Sequence, residues 1–220
     1  MTASTTVDTK RACSANEVFH IARKACIGSG LTPDRAEDLA EATTLLQCSG
    51  HNGLAALHKL LVRQSREAPQ PELGLVLSAD QMQADQLRPE AEGVAVIDWL
   101  VAAQGEAELH RVCDRLVMAG LLIAAAHSHG GRFYLRKAGM TVPSVLTSPQ
   151  DFADLPEDEA CHLSYQTAEQ DRPAQPALFH HTEVELSVWQ ALERLAHLTY
   201  VPASEASRQS GAGAGLVDND

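Results

Sequence analysis

Three helix start and stop signals in the first 68 residues constrain this chain more than any other feature. Ser14-Ala15-Asn16-Glu17 is a capping-box pattern, a hydroxyl and a carboxylate each able to satisfy a backbone N–H. Val18, Ile21, Ala22, Ala25 and Cys26 follow at helical spacing, and Gly28 and Gly30 stop the run. Thr32 and Pro33 open a second helix in the favoured order of N-cap and first-turn proline. Asp34, Glu37 and Asp38 sit near its positive end. Its buried stripe is Ala36, Leu39, Ala40, Thr43 and Leu46, and Gly50 ends it. A third helix runs from Gly53, with Leu54, Leu57, Leu60 and Leu61 inward. Lys59, Arg63 and Arg66 give its outer side a basic cast, the usual look of a solvated face. Helices on short loops pack most simply as a helical subdomain.

Pro69 and Pro71 break this pattern. Residues 73–77 read as a strand, 79–87 as a short helix and 94–100 as a buried strand. Residues 105–118 read as a helix with Leu109, Val112, Cys113, Leu116 and Val117 inward. Residues 121–126 read as a strand, Gly130-Gly131 as a turn, and 132–135 as the returning strand of a hairpin. Residues 143–156 read as loop with one helical turn, 161–165 as a strand, and 168–176 as a proline-bearing surface loop. Thr182-Glu183-Val184-Glu185 is a second capping-box pattern. The helix it opens carries Val188, Trp189, Leu192, Leu195 and Ala196 on one face, so Trp189 is expected to be buried and to anchor it. The expected fold class is α+β or α/β: an N-terminal three-helix unit, a small mixed sheet, and a C-terminal helix with an extended Gly/Ala/Ser tail. The corresponding division is a disordered 1–13, a helical subdomain 14–68, a mixed core 69–199 ending in a long helix, and a tail 200–220.

At 220 residues the chain buries roughly 70% of the surface its unfolded form exposes, enough for a core without disulfides or metal. Aromatics are only 4% of residues, so Leu, Val, Ile and Ala must build that core. A formal net charge of −12 argues against non-specific nucleic-acid binding, which needs Lys and Arg to displace counterions, and against an anionic membrane surface. The five cysteines have no paired spacing and no CxxC, so they read as reduced thiols, most of them core fillers. The first residues lack the apolar segment of a signal peptide. The longest apolar stretch, 117–126, is too short to span a bilayer. A soluble, cytoplasmic protein is expected.

Two stretches, SANEVFHIARKACIGSGLTPDRAEDLAEA near the start and TYVPASEASRQSGAGAGLVDND at the end, resemble domain-of-unknown-function family 3726, a group of uncharacterised bacterial proteins. The second helix of that family often carries a tryptophan-containing stretch, where this chain has Thr43-Thr44-Leu45-Leu46. The resemblance implies no catalytic residue. The first three helices are also similar to the N-terminal part of the second-type malate/L-lactate dehydrogenase family. That family has a Ser-His-Gly step after a similar helix, and this chain has Gly50-His51-Asn52-Gly53 instead.

No catalytic constellation stands out. His127-Ser128-His129 with His180-His181 is the best metal candidate, since histidines two apart on a strand share a side. Zinc wants three or four ligands, and no cysteine or carboxylate has matching spacing, so neither metal nor cofactor is expected. Cys113 with His110, at i and i+3 of a helix, could form a nucleophilic pair. Cys161 and His162, adjacent on a strand, face opposite ways. Gly211, Gly213 and Gly215 suggest a phosphate loop but lack its lysine and a following helix.

The tail offers a different site. Tyr200, Ser204, Ser207, Arg208, the three glycines, Asp218 and Asp220 form a candidate ligand or docking segment. Its acidic end suits a basic surface, with Lys59, Arg63 and Arg66, or Arg111 and Arg115, as candidates. The expected function is a non-catalytic accessory or assembly protein, with an unknown protein partner or as a homo-oligomer, and with no nucleic acid or membrane. The alternative is an enzyme or small-molecule-binding protein with a site near the C-terminal segment.

Overall fold

The computed structural model describes residues 9–67, 75–78, 81–156, 158–167 and 179–199. It opens with three helices, α1 (Ala15–Gly28), α2 (Pro33–Cys48) and α3 (Gly53–Arg66). The Ser14 capping box forms as read: Ser14 Oγ accepts from the Glu17 N–H at 3.3 Å, and the Glu17 carboxylate accepts from the Ser14 N–H at 2.9 Å. Thr32 occupies the second N-cap position without a side-chain hydrogen bond. The stripes read from the sequence are buried on all three helices. Gly53 permits a close crossing, since a Cβ there would stand 2.4 Å from the Thr43 carbonyl oxygen.

The N-terminal segment departs from the reading. Lys10–Ser14 is strand β1, not disordered chain, and pairs antiparallel with β8 (His181–Glu185). The Thr182–Glu185 segment is therefore a strand rather than a capping box. Glu185 occupies the N-cap of the last helix, α7 (Leu186–His197), without a side-chain bond. The Thr182 hydroxyl donates instead to the Gln47 carbonyl at 3.3 Å. Gln47, 5% exposed, ties three elements together. Its Nε2 donates to Thr182 Oγ1 and the Glu183 carbonyl, and its Oε1 accepts from the Leu54 N–H at 3.1 Å. Trp189 is buried, as expected, with its indole N–H on Glu193 at 2.7 Å and the Arg11 guanidinium 4.0 Å from the ring centroid.

A six-stranded mixed sheet forms the second layer, in the order β2 (Leu75–Leu77), β3 (Gln81–Ala84), β4 (Glu106–Leu109), β7 (Cys161–Thr167), β5 (Gly131–Lys137), β6 (Ser144–Val145). β3 and β4 are parallel, joined through a π-helical turn, Pro89–Gly93, and helix α4 (Val94–Ala103). β7 lies antiparallel between β4 and β5. Helix α5 (Arg115–His129) connects β4 to β5, and the short α6 (Pro149–Ala153) follows β6. One contiguous buried cluster runs from α1–α3 through α5 to the sheet. The fold is α+β.

Several local readings in the middle are corrected. Residues 94–100 are helix α4, because Pro89, Glu90 and Glu92 make a helix start and the Glu92 carboxylate accepts the Arg88 N–H at 2.9 Å. Residues 81–84 and 106–109 are strands, each with alternate residues buried: Met82 and Ala84, then Ala107 and Leu109. The expected hairpin over 121–135 does not exist. Residues 121–126 lie inside α5, and Gly130 caps that helix in the left-handed conformation, φ +68°, before β5 begins. Among the described residues no helix is long and apolar enough to cross a membrane.

Candidate functional site

Helix α5 is built from an apolar run, and its last turns place Ile123, Ala126 and His127 at i, i+3 and i+4 on one face. That face forms one wall of a pocket of about 600 Å³. The second wall is the end of α2 and the step after it, Leu45, Ser49 and His51. The third is the start of β5, Gly131 and Arg132. Val145 to Pro149, leading from β6 into α6, supply the fourth, and Phe179 stands at the mouth with 61% of its surface exposed.

Backbone hydrogen bonds hold each wall. The Phe179 N–H donates to the Cys48 carbonyl at 2.8 Å, and the His51 N–H to the Leu46 carbonyl at 2.9 Å. Ser49 Oγ turns back onto the Leu45 carbonyl at 2.8 Å. The Leu146 N–H donates to Phe133 at 2.9 Å. The Asp151 carboxylate accepts from the N–H groups of Thr147 and Ser148 at 3.2 and 3.0 Å, which fixes the entry to α6. Gly131 is required where it stands: a Cβ would fall 2.1 Å from the Tyr165 hydroxyl, which itself donates to the His129 carbonyl at 3.2 Å.

The lining is mostly apolar, with hydroxyls from Ser49, Thr147 and Ser148 and with three basic side chains, His51, His127 and Arg132. No Asp or Glu appears among the described residues that line it. A mostly apolar cleft with a few polar groups is a usual form of a small-molecule site, and 600 Å³ lies inside the usual range of roughly 300–1,000 Å³.

The histidine cluster expected from the sequence is dispersed. His127 and His129 sit on a helix, where residues two apart face away from each other. His127 lines the pocket, while His129 lines a separate recess beside Asp38, Glu41 and Asp98. His181 is in β8, paired with Ser14. Among the described residues no group of three or more His, Cys, Asp or Glu is placed to hold a metal. The helical i, i+3 spacing expected for His110 and Cys113 does not arise, because both residues lie between β4 and α5. Gln86 Nε2 contacts Cys113 Sγ at 3.6 Å, and His110 Nε2 lies 3.8 Å from Glu108. Burial pushes the Cys161 thiol up to about 11 and the Cys26 thiol up to about 12, so both stay protonated near neutrality. His162, across the strand from Cys161's face, approaches Glu106 at 3.4 Å.

Of the basic residues expected to receive the tail, Arg63 is already committed. It lies 2.8 Å from Glu90, 2.7 Å from Asp114 and 2.8 Å from Glu67. Arg115 is 5% exposed and donates to the Glu159 carbonyl at 3.1 Å. Lys59, Arg66 and Arg111 are exposed. The tail candidates themselves, Tyr200, Ser204, Ser207, Arg208, Gly211, Gly213, Gly215, Asp218 and Asp220, lie outside the described residues.

Sequence alone does not reveal the pocket, because its residues come from five separate stretches. A usable signal existed in Ile123, Ala126 and His127, where a histidine interrupts an apolar helical face.

Residues 13–101 match the model of a family of proteins of unknown function, DUF3726. No curated protein matches the chain. Among solved structures, it is similar to the malate dehydrogenase of Pyrococcus horikoshii OT3, with TM-score 0.46 and 9% identity over 60% of this chain and 41% of that one. It is also similar to the malate dehydrogenase of Entamoeba histolytica, with TM-score 0.42 and 8% identity over 58% of this chain and 39% of that one. The chain thus spans about two-fifths of the length of these structures. At that level of likeness, nothing about fold or chemistry passes from them to this chain.

Proposed function

We propose that this chain, a member of the DUF3726 family through residues 13–101, is a small-molecule-binding accessory protein whose ligand sits between α2, α5, β5 and the β6–α6 connection. The observation that carries this reading is the pocket of about 600 Å³, apolar over most of its lining and held by hydrogen bonds in every wall. Such a volume accepts a ligand of drug-like size, and the apolar wall supplies the driving force for its transfer from water. No residue is assigned a catalytic role.

The neutral dye prodan, whose emission rises in an apolar site, tests the reading. A saturable rise is expected at one dye per chain. Val145→Trp, which fills the pocket from the half-buried strand β6, is expected to weaken it at least about tenfold, the effect of losing ~1.4 kcal/mol of contact. Leu45→Trp fills the same space from α2 and serves as a second variant should the first fail to fold. No saturable signal, or one that both variants leave unchanged, contradicts the reading.

A further inference from the structure

We propose, resting on the pocket reading above, that the ligand is an uncharged molecule with an apolar body and one hydrogen-bonding group, and that this group meets the His51 imidazole. Most polar groups of the wall are turned to partners within the protein. Ser49 Oγ donates to the Leu45 carbonyl at 2.8 Å, and Thr147 Oγ1 to the Asp151 carboxylate at 3.3 Å. Ser148 Oγ accepts the Gln150 N–H at 3.2 Å as the cap of α6. His127 and Arg132 are likewise engaged within the protein.

Neither sign of charge is therefore offered a partner by these groups. The Asp151 carboxylate, held on the N–H groups of Thr147 and Ser148, opposes an anion, as do the carbonyl ends of α2 and α5 that border the pocket. The Arg132 guanidinium opposes a cation. An ionised group carried into a mostly apolar pocket without a partner gives up its hydration and gains little in return. The His51 side chain differs from the rest of the polar wall, because none of the described residues is hydrogen-bonded to it. A neutral imidazole carries one donor and one acceptor nitrogen, so it can receive an alcohol, an amide or a carbonyl without requiring a charge on the ligand. The apolar body then meets Ile123, Ala126, Val145 and Leu146.

Displacement of prodan at pH 8 and fixed ionic strength, by six-carbon compounds that differ in their head group, tests the ligand class separately from the pocket. Hexanamide is expected to displace the dye at a concentration at least about tenfold lower than hexanoate or hexylamine, both ionised at that pH, because only the charged heads lose hydration without a partner. The His51 contact is read against 1-chlorohexane, which makes no comparable hydrogen bond. In His51→Leu the concentration of hexanamide needed, relative to that of 1-chlorohexane, is expected to rise about fivefold, the loss of one hydrogen bond. His51→Gln, which keeps a donor and an acceptor, is expected to hold most of the wild-type ratio, and His51→Ala replaces His51→Leu should that variant fail to fold. Hexanoate or hexylamine as effective as hexanamide overturns the proposal while leaving the pocket reading intact. So does a hexanamide ratio that truncation of His51 leaves unchanged. Failure of the wild-type protein to bind prodan at all counts against the pocket reading instead.

Discussion

Gly28→Ala is expected to destabilise the protein by about 3 kcal/mol or more, at the top of the usual range for overpacking. Gly28 closes α1, and a Cβ there would stand 1.9 Å from the Leu195 carbonyl oxygen and 2.8 Å from its carbon. The obstacle is the main chain of α7, which cannot rotate aside as a side chain would. The two helices must separate, and with them the buried contacts of Ala25, Leu192 and Ala196. For a chain of this size the loss corresponds to a melting temperature lower by roughly 6–12 °C. Gly139→Asn is the control. Gly139 has φ +75° with nothing within 4 Å, and asparagine tolerates that conformation, so the change should cost less than about 1 kcal/mol. Calorimetric or urea melts in which Gly28→Ala matches the wild type within about 0.5 kcal/mol would mean that α1 and α7 do not meet there.

Arg63→Met is expected to cost about 3–5 kcal/mol at neutral pH, because it strands two buried carboxylates. The Glu90 and Asp114 side chains are only 5% and 4% exposed, and each has an Arg63 nitrogen within 2.8 Å. The pH dependence distinguishes this account from a simple packing defect. Burial, the larger influence, raises the Glu90 carboxyl above its ordinary value, and the Arg63 charge pulls it part of the way back. Without Arg63 it rises further. A carboxyl with a raised folded-state pKa contributes its stability below the unfolded value, near 4.5, and loses it as pH climbs through the folded value. The deficit of the variant relative to the wild type is therefore expected to be larger at pH 8 than at pH 5. Adding Glu90→Gln should recover part of the loss at pH 8. A deficit that is flat across this range, or that grows on acidification, contradicts the account.

The helical half of the fold was legible because its signals are local. Ser14, Pro33 and the glycines after α1 and α2 mark ends that the chain itself enforces, and the leucine stripe of α3 has one face. The sheet was less legible because competing signals overlapped. Val94 to Leu100 is apolar and β-branched, which suits a strand, but Pro89 with Glu90 and Glu92 starts a helix that the core then buries. Residues 105–118 satisfy a helical spacing, yet the alternation of Glu106, Ala107, Glu108 and Leu109 is the signal that β3 and β7 select by pairing on both sides. The strand at Lys10–Ser14 depends wholly on β8, more than 160 residues later, and no local pattern could announce it.

Gly28 shows the same limit in one residue. Its role as a helix stop could be read directly, whereas its role as the contact point for α7 could not. The site followed suit. His127 was singled out for a metal cluster on a strand, but the helix separates it from His129 and turns it into the pocket. In the sequence His51 stands only within Gly50–Gly53, and Arg132 only at the start of a strand. Their convergence is a property of the α2–α5 crossing. There Gly120 lets α5 close onto α2, since a Cβ at that position would stand 2.9 Å from Leu46.

The measurement that bears most directly on the proposed function is a map of where prodan binds. In an amide and side-chain resonance titration of the isotopically labelled protein, saturable shifts are expected at Ser49, His51, Ala126, His127, Arg132, Leu146 and Phe179, with one apparent affinity shared by all. Residues of the recess formed by Asn52, Lys59, Asp114 and Arg115 are expected to stay in place. Shifts centred on that second recess, or none at any concentration up to the dye's solubility limit, would contradict the assignment of the pocket between α2, α5 and β5 as the binding site.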